Sequence, residues 1–289
     1  MEKREFSLEQ LKKFEVLSTG YNTVYKLDNG EVLKSFHPTY IEMMSSVGVN
    51  LENKILNATN VSSAPEILIP TSASYLNGRF FGYTLPSAKG VPYSFYDSSL
   101  SYLEYTDLYQ YAKVYAAIEK PVRNTSNIVF PDLCTCDNIF ISKDKDDFQV
   151  QFIDYDGLQV DQYRSIMISS SLGDQSFLTD KYYKNDFFTK DLDIKSLTHL
   201  YFLAAFNINL SRIGMLNPVT GSNVSLEDMF EFIRLDDWDV MDKVYKIFHE
   251  KSVNEYLGDD VFNLAEEYRL VAIPNSHSPI GYVKVLEKK

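Results

Sequence analysis

The feature that most constrains the fold is a change in hydrophobic pattern near residue 86. Up to residue 85 the chain consists of short strand-like runs separated by tight turns, and the Asp-Asn-Gly turn at 28–30 is a strong signal for a β-hairpin. The predicted strands cover 14–16, 23–27, 31–36, 67–69 and 79–85. One helical pattern at 42–57 interrupts them. We therefore predict a small antiparallel sheet with one helix for residues 1–85.

Beyond this sheet, residues 86–92 contain Pro, Gly and Ser without a hydrophobic period, which is typical of a connecting segment. The predicted helices that follow cover 102–119 (ending before Pro121), 192–210, 225–233, 237–250 and 253–272. Two short strands are predicted at 139–141 and 150–153. The chain is thus predicted to be a bilobal α+β protein, with a small N-lobe (1–85), a linker (86–92) and a larger, mainly helical C-lobe (93–289).

The overall charge disfavours a nucleic-acid partner. With 28 Lys and Arg residues against 40 Asp and Glu residues, the formal net charge is −12, and no basic run offers a site for a phosphate backbone. No stretch approaches the roughly eighteen apolar residues of a membrane span, and the charged N-terminus does not resemble a signal peptide. Cys134 and Cys136 are too few for a structural zinc site or a disulfide scaffold. We expect a cytoplasmic protein that binds neither nucleic acid nor membrane.

Several side chains suited to binding phosphate or metal lie on or beside these predicted elements. A turn with a single glycine, Gly20, precedes the strand-like run Val-Leu-Lys that ends at Lys34. Glu52 follows in the helical pattern. A strand lysine alone is usually an exposed edge residue.

A second set of polar residues follows in the C-lobe. Asp132 stands in a Phe-Pro-Asp-Leu segment, and Asn138 leads into the apolar run at 139–141. Asp154 comes directly after the strand at 150–153, in the sequence Ile-Asp-Tyr-Asp, and Asp193 opens a strongly apolar helix. Carboxylate and amide oxygens are the hard ligands that Mg²⁺ prefers. Each motif alone occurs often by chance, so the prediction depends on all of them occurring in this order along the chain.

In this order the motifs resemble those of the protein-kinase-like superfamily, including bacterial kinase-like proteins and relatives of aminoglycoside phosphotransferases. The resemblance runs from about residue 14 to about residue 200, and beyond it only general helicity agrees. It implies a nucleotide partner, ATP and Mg²⁺ as cofactors, and transfer of the γ-phosphate to a hydroxyl group on a protein or a small molecule.

For the N-lobe, the resemblance implies that Lys34 neutralises the α- and β-phosphates and that Glu52 holds this lysine in place through an ion pair. The remaining residues that it assigns to nucleotide binding lie in the turn before the second strand and at the end of the sheet. They are Gly20, Tyr21, Asn22, Thr84 and Leu85.

For the C-lobe, the resemblance implies that Asp132 is the base that accepts the substrate hydroxyl proton, and that Asn138 and Asp154 bind magnesium. Asp193 is expected to support the catalytic loop by accepting backbone N–H bonds. Asp156 is the alternative chelator if the register is shifted by two residues.

Three departures from the family pattern leave the function open. Five residues instead of four separate Asp132 from Asn138, the phosphate turn has one glycine, and no peptide-substrate motif is visible between Asp154 and Asp193. The first hypothesis is an active phosphotransferase. The second is a pseudokinase that acts as a nucleotide-binding regulatory or interaction module. The third is an unrelated α+β protein with accidental matches, which requires Lys34 and Asp154 to lie apart.

Overall fold

The computed structural model of the chain describes residues 1–20, 22–58, 64–93, 107–133, 138–145, 147–166, 183–206, 221–223, 256–274 and 282–289. The helices predicted at 225–233 and 237–250 lie outside these residues, as does Tyr21. A six-stranded sheet with short helices forms the N-lobe, and further helices with smaller sheets form the C-lobe. The architecture is therefore mixed α and β, with a sheet-rich N-terminal part and longer helices in the C-terminal part, as predicted.

The N-lobe sheet has the strand order β1-β5-β6-β4-β3-β2. Its strands are β1 (Glu2–Phe6), β2 (Glu15–Thr19), β3 (Asn22–Lys26), β4 (Glu31–Phe36), β5 (Ser72–Leu76) and β6 (Arg79–Pro86). Neighbouring strands are antiparallel, except that β1 runs parallel to β5. The predicted hairpin at 28–30 is confirmed, and Gly30 adopts φ +79°, a left-handed conformation that glycine reaches without strain.

Two details of this sheet differ from the prediction. Residues 67–69 form no regular strand, and Ile67 makes only an isolated bridge to Phe152 in the C-lobe. The strand lies instead at β5. The pattern also fails to predict β1, because its side chains are mostly charged and only Phe6 is buried. An edge strand that packs through one apolar side chain has too little alternation to be recognised.

The helical pattern of the N-lobe is divided between α2 (Pro38–Ser46) and α3 (Leu51–Leu56). A further short helix, α1 (Leu8–Leu11), precedes β2. One helix was expected at 42–57, but Gly48 has φ +82° and breaks it. Asn50 then begins α3, because its side chain accepts a hydrogen bond from the Asn53 amide at 2.9 Å.

The alternation of side chains along β4 decides which of them face the C-lobe. Leu33 packs with Phe6 in an apolar cluster on the outer face of the sheet. Lys34 therefore lies on the inner face, where it is paired in register with Tyr83 of β6. The core on this face continues through α3 into the C-lobe. This alternation brings the lysine ammonium toward the junction of the two lobes.

At the end of the predicted linker, β7 (Val91–Pro92) pairs with β9 and not with the N-lobe sheet. The following elements are α4 (Leu108–Asn124), β8 (Ile128–Val129), β9 (Ile139–Asp144), β10 (Asp147–Phe152), a 3-10 turn (Tyr155–Gly157), β11 (Gln159–Val160), β12 (Tyr183–Lys184), β13 (Phe187–Phe188), α5 (Asp191–Phe206), α6 (Gly258–Glu267), β14 (Tyr268–Pro274) and β15 (Tyr282–Lys288). Of the helices in these described stretches, none combines the length and apolar character that a membrane span requires.

Two C-lobe predictions are wrong at their ends. α4 continues through Pro121 to Asn124, and the Thr125 hydroxyl ends it by donating to the carbonyl oxygens of Pro121 and Val122 at 3.1 and 3.2 Å. The helix expected at 253–272 stops with α6, and β14 and β15 then form an antiparallel hairpin. The run Tyr-Arg-Leu-Val-Ala-Ile contains residues that favour strands, and this preference outweighs the helical period.

We expect this fold to lose stability in mild acid through His199 on α5. Burial, assisted by the charge of Lys195, lowers the pKa of His199 from 6.5 to about 4. The unfolded chain therefore binds a proton that the folded chain does not, so stability is complete above pH 6.5 and is lost as the pH falls toward 4. At pH 5 the loss from this group is on the order of 2 kcal/mol.

Urea unfolding of the parent and of His199→Gln at pH 7 and pH 5 measures this effect. The glutamine variant should lose less stability between the two pH values, because the other titrating groups are common to both proteins. Equal losses in the two proteins would contradict the assignment to His199.

Candidate active site

Four of the predicted residues come together where the two lobes meet. Asp132, Asn138 and Asp154 line one small cavity, and Lys34 reaches Asp154 from β4. The other lining residues are mainly apolar: Phe130, Leu133, Ile139, Phe152, Ile153, Gly157 and Leu158. The cavity has a volume of about 20 Å³, which is room for one ion or water molecule.

The β9–β10 hairpin brings Asn138 and Asp154 to the same end of a sheet. Ile139 lies opposite Phe152 in this hairpin, and the Ile153 amide donates to the Asn138 carbonyl at 3.0 Å. The backbone turns sharply at Asp154, which has φ 67° and ψ 49°. A side chain at position 157 would place its Cβ 2.9 Å from an Asp154 carboxylate oxygen, so Gly157 leaves this carboxylate room in its present position.

Asp132 and Asn138 remain in contact despite the extra residue between them. The Asn138 side-chain amide donates to the Asp132 carboxylate at 2.8 Å. Residues 134–137, which include Cys134, Cys136 and Asp137, lie outside the described residues. With its nitrogen directed at Asp132, the Asn138 side chain has its carbonyl oxygen as the remaining candidate metal ligand.

Asp193 supports the backbone just before Asp132 by accepting a backbone N–H bond, as predicted. Its carboxylate accepts a hydrogen bond from the Phe130 amide at 2.7 Å and lies 2.7 Å from the Lys190 ammonium. Lys190 also donates to the Ile128 carbonyl at 2.6 Å. Burial raises the pKa of Asp193, while Lys190 acts in the opposite direction. This network ties the start of α5 to the segment that carries Asp132.

The ammonium group of Lys34 is held by two carboxylates. It donates to Asp154, and to both oxygens of Asp156 at 2.8 and 3.0 Å. Asp156 is fully buried and also accepts a hydrogen bond from the Tyr83 hydroxyl. The two aspartates therefore differ: Asp156 is fixed inside the protein, whereas Asp154 lines the cavity. The contact between Lys34 and Asp154 argues against the interpretation that the motifs match by accident.

The predicted ion pair between Lys34 and Glu52 is not formed, although the structure describes both residues. Glu52 instead accepts a hydrogen bond from the Tyr75 hydroxyl on β5 at 2.7 Å. The reason is the rotation of α3, whose buried face carries Leu51, Lys54 and Ile55. Residues at i, i+3 and i+4 share a helix face, so Glu52 lies off that face. The apolar spacing of 51 and 55 is the sequence signal that could have shown this.

The inward-facing charge of α3 is Lys54, which sequence reasoning missed. Its side chain is 1% exposed, and its ammonium donates to the backbone carbonyls of Asp156, Leu158 and Arg164. Three acceptors match the three hydrogens of the protonated amine. Burial lowers the pKa of Lys54 to about 7, against the opposing effect of the Asp156 charge.

The predicted phosphate turn lies at the far edge of the N-lobe sheet. Gly20 follows β2 and has open space around the position of a Cβ atom, so packing alone does not require a glycine there. Asn22 begins β3, and Tyr21 between them lies outside the described residues. Neither Gly20 nor Asn22 lines the cavity at Asp154.

The two predicted residues at the end of β6 point in opposite directions. The Thr84 hydroxyl exchanges hydrogen bonds with Thr71 and Ser72 at 2.8 and 2.7 Å, and Thr84 pairs in register with Leu33. Its side chain is therefore on the face opposite to Lys34 and away from the cavity. Leu85 is buried in the core on the inner face. Of the pair, only Leu85 has a side chain on the side facing the C-lobe.

The donor set fits magnesium in its chemistry. Asp154 and Asn138 offer hard oxygen ligands beside an ion-sized cavity, which suits Mg²⁺ when water and phosphate oxygens complete the coordination. In the described part of the chain, no group of three or more His, Cys, Asp or Glu side chains is arranged to hold a metal by itself. A metal here would thus depend on ligands beyond these side chains.

No family model and no curated protein matches the sequence. Among solved structures, the chain is similar to the BubR1 kinase domain, with 15% sequence identity, coverage of 75% of this chain and 71% of that chain, and a TM-score of 0.45.

Proposed function

We propose that this protein is an ATP- and Mg²⁺-dependent phosphotransferase that acts on a hydroxyl group of a protein or a small molecule. The supporting observation is that Asp132, Asn138 and Asp154 line one cavity while Lys34 contacts Asp154 from the opposite lobe. These residues are far apart in sequence and have complementary chemistry. A cation for phosphate, oxygen ligands for a metal and a carboxylate base are what phosphoryl transfer requires of a protein.

In this proposal each side chain has one task. Asp132 accepts the proton of the substrate hydroxyl while the hydroxyl oxygen forms a bond to the γ-phosphorus. The bond between the γ-phosphorus and the β–γ bridging oxygen breaks, and ADP is released. Lys34 neutralises phosphate charge. Asn138 and Asp154 provide oxygen ligands for Mg²⁺, which when bound offsets the charge on the phosphates. Asp193 keeps the backbone before Asp132 in place through the Phe130 amide.

We further propose that Asp156 does for Lys34 what the resemblance assigns to Glu52. The Asp156 carboxylate is fully buried, contacts the Lys34 ammonium and is fixed by the Tyr83 hydroxyl. It can therefore keep the ammonium at the cavity, so that the Asp154 carboxylate would be available to hold a metal ion. The lysine remains paired throughout, which avoids leaving a buried charge without a partner.

We place the hinge between the lobes at 86–92. β6 ends at Pro86 in the N-lobe sheet, and β7 pairs with β9 in the C-lobe. Gly90 lies between them, and a Cβ atom there would meet the Ile141 carbonyl oxygen at 2.1 Å, so the crossing backbone lies directly against β9. Leu85, at the end of β6 on the inner face, is the nucleotide contact that fits this hinge position best.

The second candidate is a pseudokinase, a regulatory or interaction module with weak or no catalysis. Two observations favour it: the cavity volume is only about 20 Å³, and Lys34 is already paired with two carboxylates. Small-molecule pockets usually enclose some 300 Å³ or more, so ATP binding requires the cavity to widen.

Thermal unfolding with ATP, with and without Mg²⁺, tests the proposal. At about 100 times the dissociation constant, binding should add about 2.7 kcal/mol of stability and raise Tm by a few degrees. The shift should be larger with Mg²⁺ than with EDTA. The absence of any shift at millimolar ATP and Mg²⁺ contradicts nucleotide binding, whereas binding without transfer to any acceptor in a cell lysate favours the pseudokinase.

A further inference from the structure

Lys54 is the one residue of α3 whose charged group contacts the segment that follows Asp154. Its ammonium donates to the carbonyl oxygens of Asp156 and Arg164 at 2.8 and 2.9 Å, and to that of Leu158. The three carbonyls come from a stretch of nine residues and converge on a single nitrogen. A segment bent around one cation in this way is held at three points at once.

The remaining contacts of α3 are of a different kind. Leu51 and Ile55 are buried in the apolar core that continues into the C-lobe, and Glu52 binds the Tyr75 hydroxyl on β5. None of these side chains hydrogen-bonds to residues 154–164 in the described structure. Apolar packing tolerates small displacements, whereas hydrogen bonds from a buried ammonium fix both distance and direction.

The backbone at Asp154 needs such support. Its φ of 67° lies in the left-handed region, which costs a residue with a side chain about 1 kcal/mol or more. A strained residue keeps this conformation only where its surroundings hold it. The Gly157 amide donates to the Asp154 carbonyl at 2.8 Å. This bond connects Asp154 to the same turn whose later carbonyl groups bind the Lys54 ammonium.

We propose that Lys54 is a positioning residue: by fixing the backbone from Asp156 to Arg164 against α3, it holds the Asp154 carboxylate in the place where it binds magnesium. This inference rests on the proposed function. Through Lys54, a change in the position of α3 would change the position of the Asp154 carboxylate, and the reverse. Lys54 touches neither substrate nor metal and acts only through the segment.

Two measurements on Lys54→Met test this role, with Ile55→Ala as the matched control on the same helix. The first is hydrogen exchange of the Gly157 and Leu158 amides in the protein without ligands. The second is the Mg²⁺ concentration that gives half of the ATP-dependent rise in Tm. Both should change by at least about tenfold in Lys54→Met. Ile55→Ala should lower Tm but leave both quantities near the parent values.

Further variants keep the test decisive. Lys54→Arg retains charge and donors and should recover part of the Mg²⁺ dependence. Lys54→Gln retains two donors and replaces Lys54→Met if the latter does not fold. Parent-like exchange at 157 and 158 in Lys54→Met, or in Lys54→Gln where it replaces that variant, overturns the proposal, as does an equal Mg²⁺ shift in Ile55→Ala. If the parent shows no Mg²⁺-dependent ATP binding, the proposed function fails, and the exchange data alone decide whether Lys54 holds the segment.

Discussion

Asp132→Ala should lower the rate of phosphoryl transfer by about 100- to 10,000-fold and leave the affinity for Mg-ATP nearly unchanged. A positioned base acts on the proton that moves in the transition state, so its loss reduces kcat more than binding. The site geometry supports this role, because Asp132 lines the cavity beside Asp154 and is oriented by the Asn138 amide at 2.8 Å.

Asp132→Asn is the matched control for this experiment. Its side-chain oxygen still accepts the hydrogen bond from Asn138, but the amide cannot accept a proton. If the base assignment is right, both variants lose most of the transfer rate, and single-turnover assays with radiolabelled ATP measure the loss. A full rate in Asp132→Asn moves the role elsewhere in the loop, most directly to Asp137. A loss confined to Asp132→Ala means that the carboxylate only orients Asn138.

Asp154→Asn should abolish the gain in ATP affinity that Mg²⁺ provides, with little loss of stability. The substituted amide keeps the shape of the side chain but loses the charge that attracts a divalent ion. Stability should be largely retained, because Lys34 keeps its ion pair with the buried Asp156. Isothermal titration with ATP, with Mg²⁺ and with EDTA, measures the difference.

Asp156→Asn should instead lower the stability of the fold. Asp156 is fully buried and its carboxylate pairs with Lys34, so removing the charge should cost about 3–5 kcal/mol of stability. Urea unfolding should therefore separate the two variants clearly. If Asp156→Asn instead loses only Mg²⁺ dependence while Asp154→Asn binds Mg-ATP like the parent, Asp156 is the chelator and the two assignments must be exchanged.

Much of this architecture could be predicted because local rules govern it. The hairpin at 28–30 follows from its turn residues, and the inward direction of Lys34 follows from alternation along β4. Asn138 and Asp154 meet because they flank the two strands of one hairpin. In each case, the residues that decide the structure lie within one strand or one hairpin.

Other features could not be read with the same rules. β1 is a strand only because β5 supplies its hydrogen-bonding partners, and its own charged sequence gives no sign of this. The residues of β14 also fit the hydrophobic period of a helix, and only their pairing with β15 makes them a strand. β1 depends on pairing with a segment that is distant in the sequence. The β14–β15 hairpin forms from residues whose local pattern fits a helix as well as a strand.

The sequence by itself determined which chemical groups are present and in what order: a strand lysine, an Asp and an Asn before one strand, an Asp after the next and an Asp at the start of a buried helix. Only the tertiary structure decided how the charges pair. Two residues of α3, Glu52 and Lys54, differ by about 200° around the helix axis. Packing of Leu51 and Ile55 turned the lysine inward. Asp156 therefore became the partner of Lys34, because a buried charge must pair with whichever opposite charge packing brings within reach.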